Sequence, residues 1–235
     1  MKALAILGAR EHGKVVCATV ADGLPNRWET TLFLDDNTAL NGSSLLGLPV
    51  LSPISRLDSL VREGRIQGAL IGVSCNHMPF RQALFAKLRS LGIEAPTAVS
   101  PAAHLNSRAV VGPGGILCPG AVVHAFATLG ANCVLYSNSV VEHECNLGDN
   151  VYLGPGASFC AAVEVGSNTF IGTGASVVCR KVGTDVVVGA GAVVVDDVPD
   201  GAIVAGVPAR ILRIRTPEER RKSFILRDHT QPTSQ

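Results

Sequence analysis

The stretch Leu129–Gly172 reads LGANCVLYSNSVVEHECNLGDNVYLGPGASFCAAVEVGSNTFIG, and an aliphatic residue or phenylalanine returns in it at every sixth position: Leu129, Leu135, Val141, Leu147, Leu153, Phe159, Val165 and Ile171. Outward from this stretch the period is unbroken, back through Val123, Leu117, Val111 and Leu105 to Val99, and forward to Val177. Glycine follows the aliphatic residue at Gly112, Gly130, Gly148, Gly154, Gly166 and Gly172, where a tight turn gains from the missing Cβ. The fourth residue after it is small or β-branched, as at Ala121, Cys133, Cys145, Val151, Ala157 and Val163. Two inward positions per hexapeptide therefore line a narrow core, and the pattern predicts a parallel β-helix. After a one-residue contraction between Cys179 and Lys181, the residues Val182, Val188 and Val194 resume the period. No single hexapeptide can bury its aliphatic side alone. Stability must come from stacking, with each buried aliphatic side chain contributing roughly 1.5–3 kcal/mol.

The 235 residues exceed one ordinary domain, and the texture changes near Pro96. Before that point strands and helices alternate: a strand over 3–7, a helix over 12–21, a strand over 31–34, a helix over 53–63, a strand over 69–73 and a helix over 79–91 closed by Gly92. This reads as a small Rossmann-like unit. The expected organisation is residues 1–95 as a Rossmann-like sugar-nucleotide-binding domain, 96–212 as the β-helix and 213–235 as a C-terminal helix and tail. Thr216, Pro217 and Glu219 form a capping box that starts the basic helix, and the last residues are polar enough to be disordered.

With 20 Lys and Arg against 19 Asp and Glu, the charge gives no electrostatic case for a nucleic-acid or membrane partner. No apolar run resembles a signal peptide or a spanning helix. The seven cysteines are odd in number and lack a CxxC pair, and Cys133 and Cys145 fill the small inward slot, which suits a reducing cytoplasm.

Chemistry is best sought where the solenoid breaks its own rules. From residue 109 to 178 there is no Lys or Arg, and the only acids are Glu142, Glu144, Asp149 and Glu164. Two of these flank one histidine. In Val141-Glu142-His143-Glu144-Cys145 the inward positions are Val141 and Cys145, so His143 is expected to point away from the core. Imidazole is the usual proton acceptor for an amine or hydroxyl attacking an acyl group, and a neighbouring carboxylate orients such a ring and favours its protonated form. His124 lies about one coil earlier and is explained equally by corner packing; His77 is expected to cap a helix start, while His104 and His229 carry no pattern. The Gly8 to Gly13 turn reads equally as a ligand loop or a tight structural turn, and Asp35-Asp36 as ligand-binding acids or a strand end.

The solenoid, the Val-Glu-His-Glu-Cys segment, the closing Val204-Ala205-Gly206-Val207-Pro208-Ala209-Arg210 and the opening Gly8-Ala9-Arg10-Glu11-His12-Gly13-Lys14-Val15-Val16 with Phe33-Leu34-Asp35-Asp36 resemble the bacterial nucleotide-sugar acetyltransferases. That family comprises enzymes that N-acetylate UDP-, dTDP- or GDP-linked 4-amino-4,6-dideoxy sugars for surface-glycan or glycoprotein biosynthesis, together with sialic acid O-acetyltransferase relatives. The resemblance implies a left-handed β-helix, an exception to the right-handed crossover rule, and a homotrimer with active sites at the subunit interfaces. It implies that His143 is the general base and that Glu144 raises its basicity. Acetyl-CoA would lie along the solenoid groove at Tyr152, Thr173 and Gly191, and the nucleotide sugar would touch Arg10, Glu11, His12, Asp35, Asp36 and Gly72. Backbone amides at the start of the first helix suit a diphosphate. Arg10 and Glu11 stand where relatives carry small residues, Tyr136 where they carry Asn, and Tyr152 where they carry His; both tyrosines keep a hydroxyl able to donate.

The expected reaction is direct attack of a sugar amine on acetyl-CoA with no covalent enzyme intermediate. O-acetylation of a sialic acid uses the same base and groove, and a non-catalytic β-helix scaffold stands as a different class of reading. No metal is expected. A zinc site of the gamma-class carbonic anhydrase type needs three histidines, whereas His124 and His143 are nineteen apart, off the hexapeptide grid, with no third to join them. Arg180, Lys181 and Arg210 either meet CoA phosphates or solubilise the end of the solenoid.

Overall fold

The computed structural model describes residues 1–222. Its first sheet is built on β1 (Lys2–Leu7), whose four buried residues Leu4 to Leu7 are covered on both faces. The chain then runs through α1 (Glu11–Gly23), β2 (Trp28–Leu34), a hairpin of β3 (Ser44–Leu45) and β4 (Leu48–Leu51), α2 (Leu57–Arg62), β5 (Gly68–Ile71) and α3 (Met78–Ser90). The sheet order is β3-β4-β2-β1-β5, parallel except for the β3–β4 hairpin. The fully buried strands β1 and β5 carry near-continuous apolar runs, as parallel strands covered on both faces must. The hairpin was not expected from the sequence, since Gly47 at φ 79° and Leu46 at φ 52° turn a segment with no clean alternation. The second expected helix is shorter than predicted, because residues 54–56 form a 3-10 turn ahead of α2.

From Ala98 onward the chain is a left-handed parallel β-helix with an N-terminal α/β domain against it. Two-residue strands pair with the strand 18 residues on, as in Val122↔Val140 and Tyr152↔Phe170, so three hexapeptides complete one coil. The contraction after Cys179 shortens one coil, giving Phe170↔Val187 and Ser176↔Val193. The strands form faces of eight, six and five strands. The inward column is the predicted one: Leu117, Val123, Leu135, Val141, Leu153, Ile171, Val177 and Val188 are solvent-inaccessible, with Ala121, Cys133, Val151 and Ala157 in the small slots. At the end of the solenoid the antiparallel strands 202–206 and 209–214 extend the eight-stranded face. The capping box forms as predicted, with Thr216 accepting from the Glu219 amide and Glu219 from the Thr216 amide, and opens α4 (Pro217–Arg220). The expected continuation of that helix, the tail expected to be disordered and His229 lie outside the described residues.

What joins the two parts is a second column, on the outside of the eight-stranded face. Ala98, Ile116, Val134, Tyr152, Phe170 and Val187 occupy the first position of successive strands there, and all are buried against the α/β domain. On the other two faces the same slot holds residues such as Ser158 and Ser176, or Thr128, Asn146 and Glu164. Helix α1 lies on this face so closely that a Cβ on Gly23 would come within 2.3 Å of the Val99 carbonyl oxygen.

A corner ladder ties α3 to the same face. Asn132, Asn150 and Asn168 sit 18 residues apart with φ of 57°, 56° and 59°, a region asparagine tolerates. Their side chains hydrogen-bond in series, Asn132 Nδ2 to Asn150 Oδ1 at 2.8 Å and Asn150 Nδ2 to Asn168 Oδ1 at 3.0 Å. Arg81 of α3 is fully buried above them, donating to Asn132 O and Oδ1, to Asn150 Oδ1 and to the Val73 carbonyl, with its guanidinium 5.4 Å from the Tyr152 ring centre. Among the described residues no carboxylate pairs with it, and burial pushes its pKa below the ordinary arginine value.

Candidate active site

Three groups of sequence-predicted residues occupy three places. The first lies in a cavity of about 580 Å³ between the α/β domain and the solenoid, lined by Gly8, Arg10, Glu11, His12, Asp35, Asp36 and Gly72. All six residues expected at the nucleotide sugar are therefore together, and Ser74, His77, Phe80 and Tyr136, which sequence reasoning did not place there, complete the wall with Ile54 and Val73. The glycines make the cavity by close crossing of backbones. A Cβ on Gly13 would stand 2.1 Å from the Gly8 carbonyl oxygen, and one on Gly72 would stand 2.8 Å from that same oxygen. The turn is thus both a tight structural crossing and a cavity wall.

The two acids divide their work. Asp35 Oδ2 accepts from the Ala9 amide at 2.8 Å and Oδ1 from the Asn37 amide at 2.9 Å, so this carboxylate clamps the β1–α1 turn to the β2 end. Asp36 Oδ1 accepts from the Ile54 amide at 2.8 Å, and Asp36 lines the cavity. His77 stands at the N-cap of α3 but makes no side-chain cap, correcting the expectation for it; it borders the cavity.

His12 is 5 % exposed, and its Nδ1 lies 2.8 Å from the Tyr136 hydroxyl, with the two rings stacked at 5.6 Å. Burial and then the charge of Arg81 hold its pKa down to about 3, so the ring is neutral at physiological pH. Its Nε2 is buried with no hydrogen-bond partner.

The second group is His143 with its acids. His143 sits on a solenoid corner with its side chain half exposed, pointing outward as predicted, and its Nδ1 is 3.9 Å from Glu144 Oε2. That is ion-pair range and too long for a hydrogen bond. Glu142 turns the other way, its carboxylate accepting from the His143 backbone amide at 3.3 Å. Glu144 holds φ at 61°, a left-handed conformation that costs a residue with Cβ roughly 1–2 kcal/mol. The His124 ring meets His143 edge-on at 6.0 Å, because nineteen residues are one coil and one step around the corner. Among the described residues no group of three His, Cys, Asp or Glu is arranged to hold a metal ion.

The third group is split. Thr173 and Gly191 are exposed neighbours on another corner, where the Gly191 amide donates to the Thr173 carbonyl at 2.8 Å. Tyr152 is not with them. It belongs to the outward column under the α/β domain, is 5 % exposed, and packs on His12, Tyr136 and Phe170 at 5.5 to 5.9 Å between ring centres. A residue on that column is covered by α1 and α3 and cannot line an open groove, which corrects its expected place at acetyl-CoA.

A left-handed coil of hexapeptides, an α/β domain with a cavity at its junction and an outward Glu-His-Glu corner define a hexapeptide-repeat transferase. The family pattern of the bacterial transferase hexapeptide (six repeats) matches residues 144–179. PerB from Caulobacter crescentus, solved in complex with CoA and GDP-perosamine, superposes with a TM-score of 0.81 at 30% identity over 90% of this chain and 97% of that one. The acetyltransferase domain of PglB from Neisseria gonorrhoeae FA1090, solved with acetyl coenzyme A, superposes with a TM-score of 0.80 at 35% identity over 90% of this chain and 99% of that one. The chain belongs to the nucleotide-sugar N-acetyltransferase family of hexapeptide-repeat acyltransferases. A 2,3,4,5-tetrahydropyridine-2,6-dicarboxylate N-acetyltransferase of Clostridium perfringens is 48% identical over 48 residues. That match spans 20% of this chain and 20% of the relative, about a fifth of the length of each.

Proposed function

We propose that the protein transfers the acetyl group of acetyl-CoA to the amine of a nucleotide-linked 4-amino-4,6-dideoxy sugar. The observation that carries this reading is the pairing, in one chain, of a cavity walled by a helix N-terminus and two acids with an outward imidazole beside a carboxylate. The amides that open α1, together with Arg10, suit a diphosphate, and Asp36 suits hydroxyl or base N–H groups of the nucleoside. His143 takes the proton released as the amine nitrogen bonds to the thioester carbonyl carbon; the carbon–sulfur bond breaks, and the proton passes from His143 to the leaving sulfur so that CoA departs as the thiol. Glu144 orients the ring and stabilises its protonated form. Thr173 and Gly191 present an exposed, side-chain-poor corner along which the pantetheine arm of CoA fits.

Within one chain His143 does not line the junction cavity. A homotrimer, with the cavity of one subunit facing the His143 corner of the next, brings the separate groups into one site, and sizing with light scattering tests it. A reducing, cytoplasmic setting accords with seven free cysteines, and no helix of the described residues is long and apolar enough to cross a membrane. The test of the reaction is thiol release from acetyl-CoA with UDP-, dTDP- and GDP-linked 4-amino-4,6-dideoxy sugars and with free sialic acid. Turnover with an amino sugar supports N-acetylation; turnover with sialic acid alone replaces it by O-acetylation, and none with any acceptor leaves a scaffold.

A further inference from the structure

The His12–Tyr136 contact fixes more than a packing arrangement. A neutral imidazole carries one hydrogen and one lone pair, and only Nδ1 of His12 has a partner. If Nδ1 accepted the phenolic hydrogen, the hydrogen would sit on Nε2, a buried donor with nothing to receive it. Orphaned buried N–H donors are rarer than orphaned acceptors. The favoured arrangement puts the hydrogen on Nδ1, which then donates to the Tyr136 oxygen and leaves a bare lone pair on Nε2. Tyr152 packs on the same phenol at 5.5 Å between ring centres, and burial pushes its own pKa up. With His12 as donor the Tyr136 oxygen is the acceptor of that bond, and its own hydrogen is left to turn toward the cavity it lines.

We propose that Tyr136 is a specificity-determining residue of the acceptor cavity, oriented by His12 to donate its hydroxyl hydrogen to an acceptor oxygen of the bound nucleotide sugar. The inference rests on the cavity being the nucleotide-sugar site. Two oxygens share that chemistry: one on the diphosphate, which the opening turn of α1 draws close to His12, and one on the sugar ring. The orientation also explains why a solenoid residue lines a cavity otherwise made by the α/β domain: it reads the part of the ligand that faces the transferase corner.

The test compares wild type with Tyr136→Phe, which removes the hydrogen and keeps the ring stacked on His12, with thermal melting to verify the fold. Calorimetric titration with UDP, dTDP and GDP is paired with KM for the nucleotide sugar that turns over. A loss of about tenfold in diphosphate affinity places the donated hydrogen on the phosphate, and unchanged diphosphate binding with KM raised about tenfold places it on the sugar; either upholds the proposal. Both quantities staying within about twofold of wild type overturn it. Wild type that binds none of the three diphosphates removes the cavity reading itself, a result distinct from an inert Tyr136. Independently, imidazole nitrogen NMR, with His12→Gln to assign the signal, is expected to show Nδ1 protonated in the free protein; a hydrogen on Nε2 contradicts the orientation.

Discussion

The slot before the inward aliphatic residue should cost very different amounts on the three faces of the solenoid. Phe170, Ser158 and Glu164 hold the same position of three hexapeptides, but Phe170 lies under the α/β domain while Glu164 is in solvent. Phe170 is 6 % exposed, and a buried phenylalanine removes about 150–250 Å² from water. At about 25 cal/mol per Å², allowing for the Cβ that alanine retains and the cavity that remains, Phe170→Ala should cost about 3–5 kcal/mol. Ser158 has only a 3.4 Å hydroxyl contact with Ser176, so Ser158→Ala should cost under about 1 kcal/mol. Glu164→Ala should stay within about 0.5 kcal/mol of wild type. Urea unfolding followed by circular dichroism reads all three. Costs that agree to within about 1 kcal/mol across the faces would refute the assignment of one apolar outer column to the domain junction.

Four further outcomes follow from the same contacts. Arg81→Met should destabilise by about 2–4 kcal/mol, because the carbonyls of Val73 and Asn132 lose their donor, with recovered desolvation limiting the loss; urea unfolding gives the value. Gly13→Ala, whose methyl would meet the Gly8 carbonyl, should abolish nucleoside diphosphate binding in calorimetry while the solenoid stays folded by circular dichroism. His12 has a folded pKa of about 3 against an ordinary value of 6.5, so the unfolded chain binds the extra proton: its contribution is whole above pH 6.5 and is lost as pH falls toward 3. Between those values its share of the stability should fall by about 1.4 kcal/mol per pH unit, a slope that His12→Gln removes in urea melts from pH 7 to 4.5. Glu144→Asn should raise stability by about 0.5–1 kcal/mol by suiting the left-handed turn, yet lower turnover, since the carboxylate beside His143 is gone.

The solenoid was legible because its physics is local and repeated: the inward slots admit only apolar residues, large at one and small or β-branched at the other, and each coil repeats the demand. Cys133 and Cys145 were rightly placed inside for the same reason. The domain junction was written in the sequence at a longer period. Ile116, Val134, Tyr152 and Phe170 recur every third hexapeptide, as do Asn132, Asn150 and Asn168, but a six-residue reading averages the three faces and hides both. Tyr152 was sought on an open groove because the family resemblance implied it there; the 18-residue column in which it stands lies beneath the α/β domain. Arg81 carried its own signal, a charge at the spacing of Met78, Leu84, Phe85 and Leu88 on the apolar side of α3. Tyr136 in the cavity had no local signal, because its neighbour His12 is 124 residues away. The outward aim of His143 followed from the slot on either side of it, whereas its contact with His124 depended on how a corner turns, which spacing alone does not give.

The most direct test of the central claim is acetyl-CoA thiol release in the presence of a nucleotide-linked 4-amino-4,6-dideoxy sugar, wild type beside His143→Ala. The account predicts turnover that falls by about 10²–10⁴ in kcat for the variant, with nucleoside diphosphate binding unchanged because His143 lies outside that cavity. Wild-type turnover retained by His143→Ala would contradict the base assignment and leave the Glu-His-Glu corner a solvated turn.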